Sequence, residues 1–210
     1  MSPQGRKRRL LLGAALLSVG TAGALFWRHA RRPGVDFEPP FEDICIVPPA
    51  RVSEPHHYDP ASGLGIHDPR PIPADARCPV CGMYPARFPR WAAQIIFQDG
   101  STHFFDSPVD LFIFLAEPKR FDSSRTGADA AALYVADFDT GSWLDAHQAV
   151  FVIDSAARGP MRGPDLPAFP SMETAQRFID SRGGRALGFD HIDASVVAGL
   201  RDANHAHHMH

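Results

Sequence analysis

Trp91-Ala92-Ala93-Gln94-Ile95-Ile96-Phe97-Gln98-Asp99-Gly100-Ser101-Thr102-His103-Phe104-Phe105-Asp106-Ser107-Pro108 is the stretch that decides the fold. Residues 91–97 and 102–105 are apolar runs of strand length, and Asp99-Gly100 between them supplies the tight turn of a β-hairpin. Ser107 then suits a helix cap and Pro108 a first helical turn, with Leu111, Phe112, Phe114 and Leu115 as the buried face. After a polar loop over 117–129, residues 132–136 read as another strand. The second half runs in the same order. Residues 149–153 form a strand, 168–169 a short second one, and Ser171 caps a helix through Ala175, Phe178 and Ile179 that stops at Gly183-Gly184. Residues 185–189 close as a strand. Setting Phe105-Asp106-Ser107 against Phe169-Pro170-Ser171 places Phe114 opposite Phe178. The expectation is an α+β fold of two related β-β-α-β halves, 77–140 and 141–195.

Just ahead of the hairpin lies Cys78-Pro79-Val80-Cys81-Gly82-Met83, two thiols and a thioether within six residues. A bare C-x-x-C is shared by zinc, disulfide and redox chemistry. The thioether shifts the balance, because a neutral, soft sulfur adds little to zinc and suits Cu(I). Gly82 can take turn conformations closed to other residues and so bring both sulfurs to one ion. The candidate Cu(I) ligands are Cys81 first, then Met83. Cys78 is either a third sulfur ligand or a disulfide partner of Cys81 in the absence of copper. His103 is a nitrogen candidate on the second hairpin strand, with a solvent-facing orientation as the alternative. Met161, in Gly159-Pro160-Met161, is either a ligand from the second half or a packing residue. Asp99 and Asp106 read as turn and helix-start residues, and no acid–base role is assigned to them. His147 and His191 read as surface residues.

The flanks address the protein. Arg6-Lys7-Arg8-Arg9 precedes a charge-free apolar span, 10–27, near the length needed to cross a bilayer. Residues 1–32 therefore read as a signal or membrane anchor that puts the body in the periplasm. Residues 33–76 hold repeated prolines, which fix φ and remove backbone donors, and read as an extended linker or wrapping segment. Residues 196–210 form a His-rich tail, expected to be disordered. Three cysteines do not make a multi-disulfide framework. With 44% hydrophobic residues, the chain can bury an ordinary core without one. A net charge of -3 with no basic stripe in the body argues against nucleic acid.

Taken together, Cys81-Gly82-Met83-Tyr84, the 91–97 strand with Asp99-Gly100, Phe104-Phe105-Asp106, Tyr134-Val135-Ala136-Asp137-Phe138 and Gly141-Ser142-Trp143-Leu144-Asp145-Ala146 resemble the NosL family. Gly159-Pro160-Met161, Ala168-Phe169 and Gly183-Gly184 extend the likeness, which covers roughly 77–192. The resemblance implies a periplasmic Cu(I) chaperone that delivers copper for the copper centre of nitrous-oxide reductase, with the reductase or its copper-loading transporter complex as client. It also implies a fold similar to the organomercurial lyase MerB, with Cys81 and Met83 matching the family's C-G-M motif. Many members are lipoproteins with a Cys directly after the signal. Here Cys45 stands well beyond the apolar span, and the Pro-rich insertion is long.

No Gly-x-Ser-x-Gly, H-E-x-x-H or phosphate-cradling glycine loop is present, so the chain reads as a binding protein and not an enzyme. Two alternatives stay open: a thiol-disulfide oxidoreductase using the C-x-x-C, and a zinc-stabilised structural protein, which lacks a second ligand pair in the sequence.

Overall fold

The first hairpin strand, β1 (Ala93–Phe97), is buried at every position, and so is its partner β2 (Thr102–Phe105). A strand buried on both faces needs two covers, and the computed structural model, which describes residues 53–207, supplies both. On one face lies helix α1 (Pro108–Ala116), with Ala93, Ile95, Phe97 and Phe105 in its core. On the other lies the Pro-rich segment. Arg70 exchanges two hydrogen bonds with the Gln94 side chain, at 3.1 and 3.2 Å, and its guanidinium donates to Thr102 Oγ1 at 2.6 Å. His56 pairs with Thr102 through two backbone bonds of 2.8 Å, and its ring meets Phe104 edge-on. From Ser53 onward this segment is thus a wrap packed on the body, and the folded part begins well before the boundary at 77 expected above. Its prolines prevent a ladder of their own but not side-chain burial.

Ser107 caps α1 as expected, accepting from the Asp110 backbone N–H. A short helix α2 (Pro118–Phe121) leads to β3 (Ala130–Ala136) and β4 (Trp143–Asp145). The first sheet has the order β2-β1-β3-β4, antiparallel throughout. In the second half, β5 (Val150–Ile153) lies between β6 (Ala168–Phe169) and β7 (Arg185–Gly188). Helix α3 (Met172–Arg182) is capped by Ser171 and ends at Gly183, whose φ is 71°. Gly184, at φ 100°, lies so close to β5 that an added Cβ would stand 2.5 Å from the Ile153 carbonyl oxygen. Both sheets place the first strand of their unit in the centre. They share one hydrophobic core, in which Phe112 of α1 meets Phe151 of β5 at 5.4 Å between ring centroids.

The tail departs from expectation. Residues Ala194–His207 form helix α4, and Val197 and Leu200 are buried in the shared core. The 3–4 spacing of Val196, Val197 and Leu200 supplies an apolar stripe that the histidines beyond it obscure. No helix among the described residues is long and apolar enough to cross a membrane. The apolar 10–27 span and Cys45 lie outside the described residues, as do His208, Met209 and His210. Leu200→Ala is expected to cost about 2–5 kcal/mol in denaturant unfolding, by loss of buried contacts and a residual cavity. Asp202→Ala, on the exposed side of the same helix, should change stability by about 0.5 kcal/mol or less.

Candidate metal centre

Residues 78–83 form a closed loop. The Gly82 N–H donates to the Cys78 carbonyl and the Cys78 N–H to the Met83 carbonyl, both at 2.9 Å. Gly82 stands at φ 76°, the left-handed region that lets the chain turn back with little strain. The turn places Cys78 in the buried core and leaves Cys81 half-buried. Against it stands the N-terminus of α1. Cys81 Sγ donates to Asp106 Oδ1 at 2.9 Å, and Cys78 Sγ to Asp110 Oδ2 at 3.2 Å. One ligand atom from each of the four residues lies within 4.8 Å of the others. Two thiolates bound to one ion at about 2.3 Å lie at most about 4.6 Å apart, so the cluster is close to the dimensions of a single-ion site and would need at most a slight contraction to close on one. Asp106 Oδ2 is buried with no hydrogen-bond partner among the described residues.

Protons hold this group together. Burial pushes the Cys78 thiol well up, helped by its hydrogen bond to Cys81 and the charges on Asp110 and Asp106. Cys81 is pulled down by its hydrogen bond with Cys78, but burial and the negative charge of Asp110 and Asp106 prevail and carry it up to about 12. Burial, then the neighbouring Asp106 charge, raises Asp110 to about 7. A third buried carboxyl, Asp165, is raised to about 8, chiefly by burial. It accepts from the Leu166 N–H at 2.8 Å, stands near enough to Ser107 for that side chain to pull its pKa down, and packs so tightly on Gly159 that a Cβ there would meet it at 2.0 Å. Asp165 therefore ties the Gly159-Pro160-Met161 turn to the start of α1.

A cleft of about 540 Å³ opens beside the thiols. Cys81, Asp110 and Met161 line it, over apolar Val80, Val109, Ile113 and Phe121, with Arg120 and Arg201 also on its wall. The structure thus brings together Cys78 and Cys81 and sets Met161, partly exposed, on the same cleft. Met83 is half-buried, and its backbone closes the loop onto Cys78. His103 does not join the cluster. Its ring is buried, bonded to Asp122 at 3.0 Å and packed on Phe97 and Phe114. The register of β2 turns it, like Phe105, towards α1, and burial lowers its pKa against the pull of Asp122. Sequence reasoning missed Asp106 as part of the cluster and overlooked Asp110. The one available signal was weak, a carboxylate among the apolar residues of Pro108-Val109-Asp110-Leu111-Phe112-Ile113-Phe114, where an acidic residue in the first helical turn already has a local explanation.

Fold and cluster together define an α+β protein with a sulfur- and carboxylate-lined candidate metal centre. The NosL family model matches residues 69–197, and the chain belongs to the NosL family. The copper-binding lipoprotein NosL of Stutzerimonas stutzeri is 28% identical over 151 residues, which are 63% of this chain and 75% of that protein. The copper-binding lipoprotein NosL of Achromobacter cycloclastes is 27% identical over 128 residues, 56% of this chain and 63%, under two thirds, of that protein. The crystal structure of the copper chaperone NosL from Shewanella denitrificans is similar at 26% identity with a TM-score of 0.54, over 61% of this chain and 97% of that one.

Asp110 and Asp165 titrate higher in the folded state than a free carboxyl at about 3.9, so the unfolded chain binds fewer protons between about pH 4 and pH 8. The stability they contribute is full below pH 4 and is lost as pH rises through 7 and 8, by at most about 1.4 kcal/mol per pH unit per group. Denaturant midpoints across this range should fall less steeply in Asp165→Asn than in the wild type.

Proposed function

We propose that this protein is a periplasmic Cu(I) chaperone, held at the membrane by residues 1–32, that supplies copper for the copper centre of nitrous-oxide reductase. Cys81 and Cys78 are the thiolate ligands, and Met83 and Met161 the thioethers that complete a soft donor set. The observation that carries this reading is Cys81 on the wall of an open cleft beside a buried second thiol. A buried thiol retains the ion, and a half-buried one leaves a side from which an acceptor's ligands can exchange it. Cargo transfer needs such partial exposure, whereas a closed four-ligand site keeps its metal. The family membership and the printed names of the relatives, copper-binding and copper chaperone, support the same reading. The matching strand orders of the two sheets support duplication of one β-β-α-β unit, of the kind the likeness to MerB implies.

The protein is a carrier and not an enzyme. An attacking thiol in a C-x-x-C oxidoreductase is activated by a lowered pKa at a helix start. Here both thiols are raised and sit in a turn. Asp106 and Asp110 do favour one second reading, since they supply a second pair of ligands with which the two thiols could make a four-coordinate zinc site.

Competition with a Cu(I) chelator should give one tightly bound equivalent for the reduced full-length chain. Cys81→Ala should lower affinity by about a hundredfold or more, and Met161→Ala by less, about the level expected for an outer ligand. Undiminished binding by Cys81→Ala overturns the site. Zinc that Cu(I) fails to displace from the wild type favours the second reading. Because both thiols hold protons throughout the neutral range, each one that ligates must release a proton. Apparent Cu(I) affinity should therefore rise about tenfold per pH unit per thiol between pH 6 and 8, read from the same competition with a chelator of known pH response.

A further inference from the structure

The loop that carries the thiols continues into a strip of stacked guanidinium groups. Arg77 and Arg87 lie against the Tyr84 ring, 4.0 and 4.9 Å from its centroid. Arg77 also donates to the Gly82 carbonyl at 3.1 Å, which ties the strip to the metal-binding turn. Arg87 shares a shallow groove of about 220 Å³ with Arg90, Trp91 and Phe138. There Arg90 stacks 4.9 Å over Phe138, and Trp91 meets the same ring edge-on at 4.9 Å. All three arginines are exposed. Among the described residues their one acidic partner is Asp139, 4.0 Å from Arg90, with both side chains more than half exposed. In a chain of net charge -3, three arginines set against a single exposed carboxylate make a local excess of positive charge.

Stacking on an aromatic face fixes the plane of a guanidinium. Arg77 spends part of its edge on the Gly82 carbonyl and the Tyr84 hydroxyl, and Arg90 its Nε–H on the Phe138 carbonyl, so Arg87 presents the fullest outward edge and Arg90 its terminal nitrogens. That edge matches a carboxylate bidentately, and the ring has already taken up much of the ordering cost. The strip lacks the protruding apolar side chains with which a surface enters lipid. The exposed large hydrophobic residues among those described are Ile66, Met161 and Met172, none of them part of it. A side-chain-lined groove flanked by oriented guanidinium groups suits an acidic polypeptide better than a membrane.

We propose that Arg77, Arg87 and Arg90 form a docking strip for an acidic segment of the protein that exchanges metal with the 78–83 loop. The copper-handover reading supplies only the identity of that partner. The attraction of the strip for carboxylates stands independently.

The test titrates decaglutamate into the isotope-labelled full-length chain and follows its NMR spectrum. The amides of Tyr84, Trp91 and Phe138 and the Trp91 indole should shift, with an affinity that falls as salt rises. Arg87→Glu alone should weaken binding several-fold, and Arg87→Glu/Arg90→Glu by about tenfold or more. Arg87→Lys/Arg90→Lys should also bind less well, because charge remains and the fork is lost. Cu(I) affinity and melting temperature should stay at wild-type values in all of these. Copper transfer to metal-free nitrous-oxide reductase should slow in the Glu variants and lose that difference at high salt. Equal decaglutamate affinity in wild type and Glu variants, or shifts confined to other surfaces, overturns the proposal. So does tighter capture of the same residues by phosphatidylglycerol vesicles. Loss of Cu(I) binding in the wild type would remove the copper reading and leave the decaglutamate result to be judged on its own.

Discussion

Two thiol–carboxylate hydrogen bonds, a part-buried one from Cys81 to Asp106 and a buried one from Cys78 to Asp110, join the 78–83 turn to the start of α1. Each net contribution is modest, about 1 kcal/mol, but the alternative is severe, since a buried carboxylate without a partner costs several. The group must therefore hold either protons or a cation. Asp110 keeps its proton to about pH 7 and Cys81 to about 12 because burial and the neighbouring negative charge make further ionisation unfavourable. A metal ion meets the same electrostatic demand when the protons leave. The raised thiols and the orphaned Asp106 oxygen are thus two aspects of one constraint.

The rest of the fold holds this constraint in place. The helix start cannot shift without disturbing β1 and β2, which are packed between α1 and the Pro-rich wrap. Asp165 reaches the same helix start from the second half, standing beside Ser107 and filling the space that Gly159 leaves open. This brings Met161 to the cleft edge although it lies 80 positions beyond Cys81. Helix α4 completes the wall through Arg201 and Asp202, while Val197 and Leu200 anchor it.

Most elements were legible because their signals are local. Asp99-Gly100 specified the hairpin, Ser107-Pro108 and Ser171 the helix starts, and Gly183 a helix end. The short strand β4 escaped notice because three residues carry no period, and it exists only by pairing with β3. The helical register of α4 was hidden by the histidines that crowd its C-terminal end. The wrap was readable as non-helical, but nothing in a run of prolines says what it covers. At the site, the C-x-x-C-G-M turn announced both sulfurs, whereas the carboxylates did not stand out, since an Asp before a capping Ser has an ordinary local explanation.

The sequence by itself determined the hairpin, the capped helices, the sulfur-rich turn and the kinship of the chain, because each rests on neighbouring residues or on matches in order. Only the tertiary structure decided which groups stand around the thiols. It took His103 away to Asp122 by the pleat of β2, and it brought Asp106, Asp110 and Met161 in from other segments. Backbone preference acts over a few residues. The surroundings of a buried sulfur are set by whichever distant side chains must share its low-dielectric space, and close packing of the whole chain chooses them.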